Sequence, residues 1–234
     1  MKLFSDIIKL FLRYRGTRWI ISIANPKGGV GKTTLAVNLA TTLIAKFPDT
    51  RILELDLQRS SSLWAGYRTE RGITPEIPVS TVSSVKQIPE VTAPYRDNPR
   101  ALLLVDCGGI DSDFNRSAMS ISDLVIIPTR PSQVEVYALT RALSVIKALG
   151  KTGYVLNNGS FPASISKVQD LAEYVSDMDG FKLLHTIVRL RADFQDAYGA
   201  GMSVIEYNKS SRAAEEMTAL AKEIQKLLKG VKRG

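Results

Sequence analysis

The sequence predicts an α/β fold, a mainly parallel twisted sheet with helices on both faces. From Arg18 onward, short apolar runs rich in β-forming residues alternate with longer stretches whose apolar residues recur at helical spacing. The apolar runs do not alternate with polar residues, as expected of strands that helices cover on both faces. We therefore predict one domain over residues 18–234.

The individual elements follow from the same patterns. We predict strands at 19–25, 51–56, 101–106, 123–129 and 153–158, and helices at 32–46, 134–149 and 210–229. Phe47 and Pro48 end the first helix. The stretch from Gly72 to Pro99 holds five of the ten prolines and predicts no clear element.

Composition excludes several classes of protein. With 234 residues, 44% hydrophobic and 23% charged, the chain is typical of a folded protein that needs no disulfide or metal for stability. The single cysteine, Cys107, excludes an internal disulfide and a four-cysteine zinc site. No apolar run reaches the roughly 18 to 20 residues of a membrane span, and Asp6 and Lys9 interrupt the stretch where a signal peptide would be apolar. We expect a cytoplasmic protein.

The net charge favours polyanionic partners. Thirty-one Lys and Arg against 23 Asp and Glu give +8 at pH 7. Nucleic acid and an acidic membrane surface are both consistent with this balance.

A glycine-rich segment lies between the first predicted strand and the first predicted helix. Glycines allow backbone N–H groups to converge on phosphate oxygens, and the helix N-terminus adds the positive end of its dipole. Lys32 would reach the β and γ phosphates, and the Thr33 hydroxyl would hold Mg²⁺. The predicted nucleotide-binding residues of this segment are Gly28, Gly29, Val30, Gly31, Lys32, Thr33 and Thr34.

The segment departs from the usual phosphate-loop pattern in an informative way. G-x-x-x-x-G-K-[ST] would place glycine at position 26, where Pro26 stands. K-G-G-x-G-K-[ST], with the additional Lys27, resembles the deviant Walker A box of the ParA/MinD family of dimeric P-loop ATPases. The resemblance implies that Lys27 crosses a dimer interface to the partner's nucleotide phosphates, so that ATP holds a homodimer together. A solvated loop lysine is the alternative for Lys27.

Two acidic segments match the same family. Glu54 and Asp56 follow the second predicted strand, similar to the D-x-D-P-Q segment of partition ATPases, with Leu57 in place of proline. The resemblance makes Asp56 the residue that orients the attacking water, a catalytic residue beside Lys27 and Lys32. The role of Glu54 stays open, because a strand-end carboxylate is often structural. Asp106 ends an apolar strand and resembles a Walker B carboxylate that holds Mg²⁺ together with Thr33; capping of the following turn is its alternative.

The resemblance covers residues 18–230. It is greatest to the small plasmid partition ATPases, which lack an N-terminal helix-turn-helix domain. SDLVIIPTRPSQVEVYAL at 122–139 and the region 189–216 resemble segments of these proteins, and YVLNN places Asn157 where they contact adenine.

The resemblance implies a slow ATPase that segregates a plasmid or chromosome. The ATP-bound dimer would bind DNA without sequence preference and would associate with the nucleoid. A DNA-binding adaptor, a ParB-like or ParG-like centromere-binding protein, would stimulate hydrolysis. The predicted DNA contacts are Arg191 and Arg212, then Arg189 and Lys209, with Lys222, Lys226 and Lys229 as further candidates.

Residues 1–17 form a separate amphipathic extension, with one apolar helical face and a basic remainder. It would pack on the domain or its dimer partner, dock on an anionic membrane, or contact a partner protein. Two rival functions therefore stay open. One is a MinD-like ATPase that cycles on a membrane, and the other is an ATP-gated adaptor that positions a protein cargo with negligible hydrolysis.

Overall fold

The computed structural model describes residues 19–95, 98, 100–109, 111–160 and 165–230. The predicted extension at 1–17 lies outside these residues. The strands are β1 Trp19–Ile23, β2 Asp49–Glu54, β3 Val79–Thr81, β4 Ala101–Asp106, β5 Leu124–Thr129, β6 Gly153–Ser160 and β7 Phe181–Arg189. The helices are α1 Lys32–Leu43, α2 Ser60–Glu70, α3 Gln87–Thr92, α4 Asp113–Ile121, α5 Gln133–Ala148, α6 Ile165–Ser176, α7 Asp193–Gly199, α8 Val204–Tyr207 and α9 Arg212–Gly230, with a 3₁₀ turn at Ala93–Tyr95.

The seven strands form one sheet in the order β3-β2-β4-β1-β5-β6-β7, and each neighbouring pair is parallel. Residues along β1 point alternately to the two faces, so that Ile20 joins one apolar cluster while Ile21 joins the other. Helices α1 and α9 cover the first face, and α4, α5 and α6 cover the second. The predicted parallel sheet with helices on both faces is confirmed.

The central strand β1 lies at the point where the strand order reverses. The chain leaves β1 toward β2, returns through β4, and then continues on the other side with β5. In open parallel sheets the crevice at the carboxyl ends of the strands beside such a point is the usual ligand site. The loop after β1 therefore lies where a ligand is expected.

Some predicted boundaries were wrong. Helix α1 ends at Leu43 instead of residue 46, because the Leu43 carbonyl accepts hydrogen bonds from both Lys46 N (3.0 Å) and Phe47 N (2.9 Å) and the chain turns there. Strand β2 begins and ends two residues early, since Asp49 already pairs with Ala101 of β4. Strand β7 was not predicted. It is an edge strand with exposed polar residues, and it lacks a continuous apolar run.

Candidate nucleotide-binding site

The loop between β1 and α1 adopts a conformation that depends on glycine. Gly29 and Gly31 have φ values of 73° and 88°, in the left-handed region that residues with a Cβ rarely adopt. A Cβ on Gly28 or Gly29 would meet no atom within 4 Å, so that this side of the loop is open. The described loop is therefore an accessible backbone cradle that opens onto the N-terminus of α1.

Lys32 is the first residue of α1 and is only 6% exposed. Its Nζ donates a hydrogen bond to the Lys27 carbonyl oxygen at 2.8 Å, and this contact links the end of the loop to its beginning. Burial lowers the pKa of Lys32, while the charges of Asp106 and Asp56 act in the opposite direction. The predicted catalytic lysine thus lies within electrostatic reach of both predicted carboxylates.

Asp106 ends β4 and is completely buried. Its Oδ2 accepts hydrogen bonds from the Thr33 hydroxyl and the Ser61 hydroxyl, both at 2.8 Å. Its Oδ1 has no hydrogen-bond partner in the part of the chain that the structure describes. Burial raises the pKa of Asp106 to about 6, against the lowering effect of these two hydroxyls. A buried carboxylate oxygen without a donor is costly, and a cation would compensate for it.

The two carboxylates after β2 have different positions. Glu54 is fully buried, and it accepts hydrogen bonds from the N–H groups of Ser61 (2.6 Å) and Ser62 (3.2 Å) and from the Ser62 hydroxyl. It therefore caps the N-terminus of α2, whose N-cap residue Arg59 makes no side-chain cap hydrogen bond. Asp56 lies two residues beyond the strand, half-buried, with Oδ1 accepting the N–H of Gln58 at 2.9 Å.

Asn157 and Asn158 are consecutive residues of β6. Asn157 is 2% exposed, and neither its amide oxygen nor its amide nitrogen has a hydrogen-bond partner among the described residues. Such an amide fits a ligand with a donor and an acceptor, as an adenine edge provides. Asn158 instead donates to the Val30 carbonyl oxygen of the loop at 2.5 Å.

The residues present fit both the nucleotide and the Mg²⁺ ion that the resemblance implies. The open glycine backbone and Lys32 suit the phosphates, and Asn157 suits a base. Thr33 Oγ and Asp106 supply oxygen ligands, the donor type that Mg²⁺ prefers.

The predicted DNA contacts lie around the end of β7 and the start of α9. Arg189 and Arg191 both pair with Glu216 of α9, at 3.1 Å and 2.7 Å. Lys209 and Arg212 are exposed, the latter as the first residue of α9. The structure thus places two of the four candidates in solvent and two against a carboxylate.

Sequence reasoning missed three residues of the site: Ser61, Arg130 and Asn158. Ser61 reaches Asp106 from 45 residues away, and Arg130 Nη2 donates to the Gly29 carbonyl oxygen from 101 residues away at 2.5 Å. The only signal in the local sequence was position along the chain. Arg130 directly follows one predicted apolar strand, and Asn158 ends another. Their side-chain types alone did not indicate this contact.

A parallel sheet with a glycine-rich loop and lysine after its central strand defines a P-loop nucleotide-binding protein. The CobQ/CobB/MinD/ParA nucleotide-binding domain family matches residues 21–228, and the chain belongs to this family of P-loop ATPases. Among the described residues, no helix is long and apolar enough to span a bilayer.

Several named relatives are similar to the chain. Protein ParA of Rhizobium radiobacter is 34% identical over 128 residues, covering 54% of this chain and 55% of that protein. Maintenance of carboxysome distribution protein A of Halothiobacillus neapolitanus is 25% identical, covering 87% and 95%. The chromosome-partitioning ATPase Soj of Thermus thermophilus is 24% identical, covering 87% and 94%. The chain is thus similar to proteins named for chromosome partitioning and for carboxysome distribution.

A solved structure supports the fold. The septum site-determining protein MinD of Pyrococcus horikoshii, solved with Mg-ADP, superposes with a TM-score of 0.69. The two chains are 20% identical, and the match covers 92% of this chain and 99% of that chain.

Proposed function

We propose that this chain is a Mg-ATP-dependent ATPase that dimerises over bound ATP and segregates DNA. ATP-gated, sequence-independent DNA binding would carry the segregation, and a ParB-like or ParG-like adaptor would stimulate hydrolysis. The observation that carries the proposal is a loop with two lysines, Lys27 and Lys32, in which Lys32 lies within electrostatic reach of Asp56 and Asp106. This set would combine phosphate binding, metal binding and water positioning in one crevice.

Positioning of the reactants and stabilisation of charge account for most of the catalysis of ATP hydrolysis by P-loop proteins. Lys32 is already directed into the loop by its hydrogen bond to the Lys27 carbonyl, and it would take up phosphate charge. Asp56 would orient the attacking water, and Lys27 would contribute from the partner subunit. Thr33 and Asp106 would hold Mg²⁺, which supplies positive charge to the phosphate oxygens. Asn157 would bind the base.

Lys27 would also determine how ATP controls the assembly. A lysine that bonds to phosphates across an interface strengthens the dimer only while nucleotide is bound. Two subunits brought together would double the basic surface offered to DNA, and affinity for a phosphate backbone rises steeply with the number of contacts. Hydrolysis would separate the subunits and release the DNA.

The direct test is substitution of Lys27→Ala, with exposed Lys86→Ala as the charge-matched control. We expect Lys27→Ala to retain ATP binding but to lose ATP-induced dimerisation, measured by light scattering, and ATP-dependent sedimentation with random-sequence DNA. Lys86→Ala should behave as the unmodified protein. Unchanged dimerisation and hydrolysis in Lys27→Ala would overturn the proposal.

A second candidate function is the positioning of a protein cargo by the same nucleotide cycle. It is favoured by the similarity, over 87% of this chain, to a protein named for carboxysome distribution. Sedimentation with ATP, ADP or no nucleotide separates the candidates. ATP-induced dimers that do not sediment with DNA would favour the cargo function, and sedimentation with anionic liposomes alone would favour a membrane-cycling ATPase.

A further inference from the structure

Two consecutive carbonyl groups of the loop are held by side chains from distant strands. Arg130, directly after β5, donates from Nη2 to the Gly29 carbonyl oxygen at 2.5 Å. Asn158, on β6, donates from Nδ2 to the Val30 carbonyl oxygen, also at 2.5 Å. Neither contact belongs to the lysine, threonine and aspartate set described above.

Fixing a carbonyl group fixes the direction of an N–H group. The C=O of Gly29 and the N–H of Val30 belong to one planar trans peptide and point to opposite sides of it. The same relation joins the C=O of Val30 to the N–H of Gly31. Arg130 and Asn158 therefore set the directions of two successive N–H groups of the loop.

The loop needs such restraint, because glycines flank these peptides. Gly29 and Gly31 both have positive φ, and glycine moves readily between backbone conformations. Without external contacts, the two peptide groups would rotate at little cost, and their N–H groups would lose their common direction. Nucleotide binding would then have to order these groups, and the entropic cost would lower the affinity for the nucleotide.

Gly159 and Gly31 lack side chains, and this provides the space that Arg130 and Asn158 occupy. A Cβ on Gly159 would lie 3.3 Å from Nε of Arg130, and a Cβ on Gly31 would collide with Nδ2 of Asn158. The aliphatic part of Arg130 thus passes over residue 159 on its way to the loop.

We propose that Arg130 and Asn158 are positioning residues of the nucleotide site. They act through the Gly29 and Val30 carbonyls and turn the N–H groups of Val30 and Gly31 toward a diphosphate or triphosphate. In glycine-rich loops of this type, the N–H groups surround the α and β phosphates. The effect is accordingly common to ADP and ATP, and it is smaller for a monophosphate, which lacks the β phosphate.

The test compares Arg130→Met, which retains length without a donor, with Arg130→Lys, which retains charge and one donor. Arg141→Met, at an exposed arginine of α5, is the matched control. Affinities for fluorescent ATP, ADP and AMP are measured by titration without DNA, and the fold of each variant is checked by thermal melting. We expect Arg130→Met to weaken the binding of ATP and ADP equally, by roughly tenfold, with a smaller loss for AMP, which carries only the α phosphate. Arg130→Lys should recover part of the loss, and Arg141→Met should show none.

Asn158→Asp tests the second contact with nearly the same shape. It replaces the donor to Val30 by a carboxylate oxygen, and we expect the same parallel loss of ATP and ADP affinity. Unchanged affinities in Arg130→Met and Asn158→Asp would overturn the proposal. A loss confined to ATP would also overturn it, since Arg130 would then act at the γ phosphate. Because the ADP titration involves neither DNA nor the ATP-bound dimer, unchanged ADP affinity in the variants leaves the proposed segregation function intact.

Discussion

The guanidinium group of Arg191 is bound to the carboxylate of Glu216, with Nη2 2.7 Å from Oε1 and Nε 3.3 Å from Oε2. Arg189 Nη1 shares the same Oε1 at 3.1 Å. The carboxylate side chain is only 12% exposed. Glu216 therefore neutralises part of the surface that the sequence predicts for DNA.

Replacing Arg191 and Arg212 together by Glu should abolish ATP-dependent DNA binding and leave nucleotide binding intact. The double change reverses two charges on the predicted surface, and each lost phosphate contact reduces the salt dependence of binding. The measurement is DNA affinity across a salt titration. Lys86→Glu with Lys167→Glu gives the same change in net charge at two other exposed lysines. DNA affinity equal to that of this control would reject the surface.

Replacing Glu216 by Gln should have two measurable effects. It frees Arg189 and Arg191 from a carboxylate, so we expect tighter DNA binding at low salt. It also removes an ion pair, so we expect the free energy of unfolding at pH 7 to fall by about 1 to 2 kcal/mol. Glu215→Gln, an exposed neighbour on α9, is the control for both measurements.

The stability effect should depend on pH with a defined sign. Burial tends to raise the pKa of Glu216, but the hydrogen bonds from Arg191 and Arg189 outweigh it, and the pKa lies below its ordinary value of 4.5. A carboxylate with a lowered pKa in the folded state stabilises the fold above that value and loses the effect as pH falls through the folded pKa. The deficit of Glu216→Gln should therefore shrink below about pH 4 in denaturant unfolding. A deficit that stays constant with pH would contradict this account.

Replacing Glu54 by Ala should destabilise the protein by about 2 kcal/mol, because it leaves the buried N–H group of Ser61 and the half-buried N–H group of Ser62 without this acceptor. Denaturant unfolding measures the loss. Glu70→Ala, an exposed carboxylate at the other end of α2, should be nearly neutral. If both variants have the same stability, Glu54 is not a cap.

Cys107 should be unreactive in the native protein. Its side chain is fully buried, and burial, aided by the charge of Asp106, raises the pKa of its thiol to about 12. The reactive thiolate is then negligible at pH 8. We expect iodoacetamide to label the native protein only at the rate of unfolding and to label it fully in denaturant, as followed by mass spectrometry. Rapid native labelling would contradict the burial.

The sequence by itself determined the parallel α/β fold and the phosphate loop. Both are encoded locally: Gly28 to Thr33 are contiguous, and the apolar run of β4 predicts its own bounds, 101–106, without error. The resemblance carried by these segments also led to the family. The edge strand β7 was missed, because exposure of Lys182 and His185 breaks the apolar pattern that marks a covered strand.

Only the tertiary structure decided which side chains meet across the sheet. Arg130 reaches Gly29, Ser61 reaches Asp106, and Glu216 reaches Arg191 because strand order and helix packing bring distant segments together. It also assigned Glu54 to a helix cap, which the spacing of Glu54 and Asp56 had left open. Such contacts depend on topology, and no local periodicity encodes them.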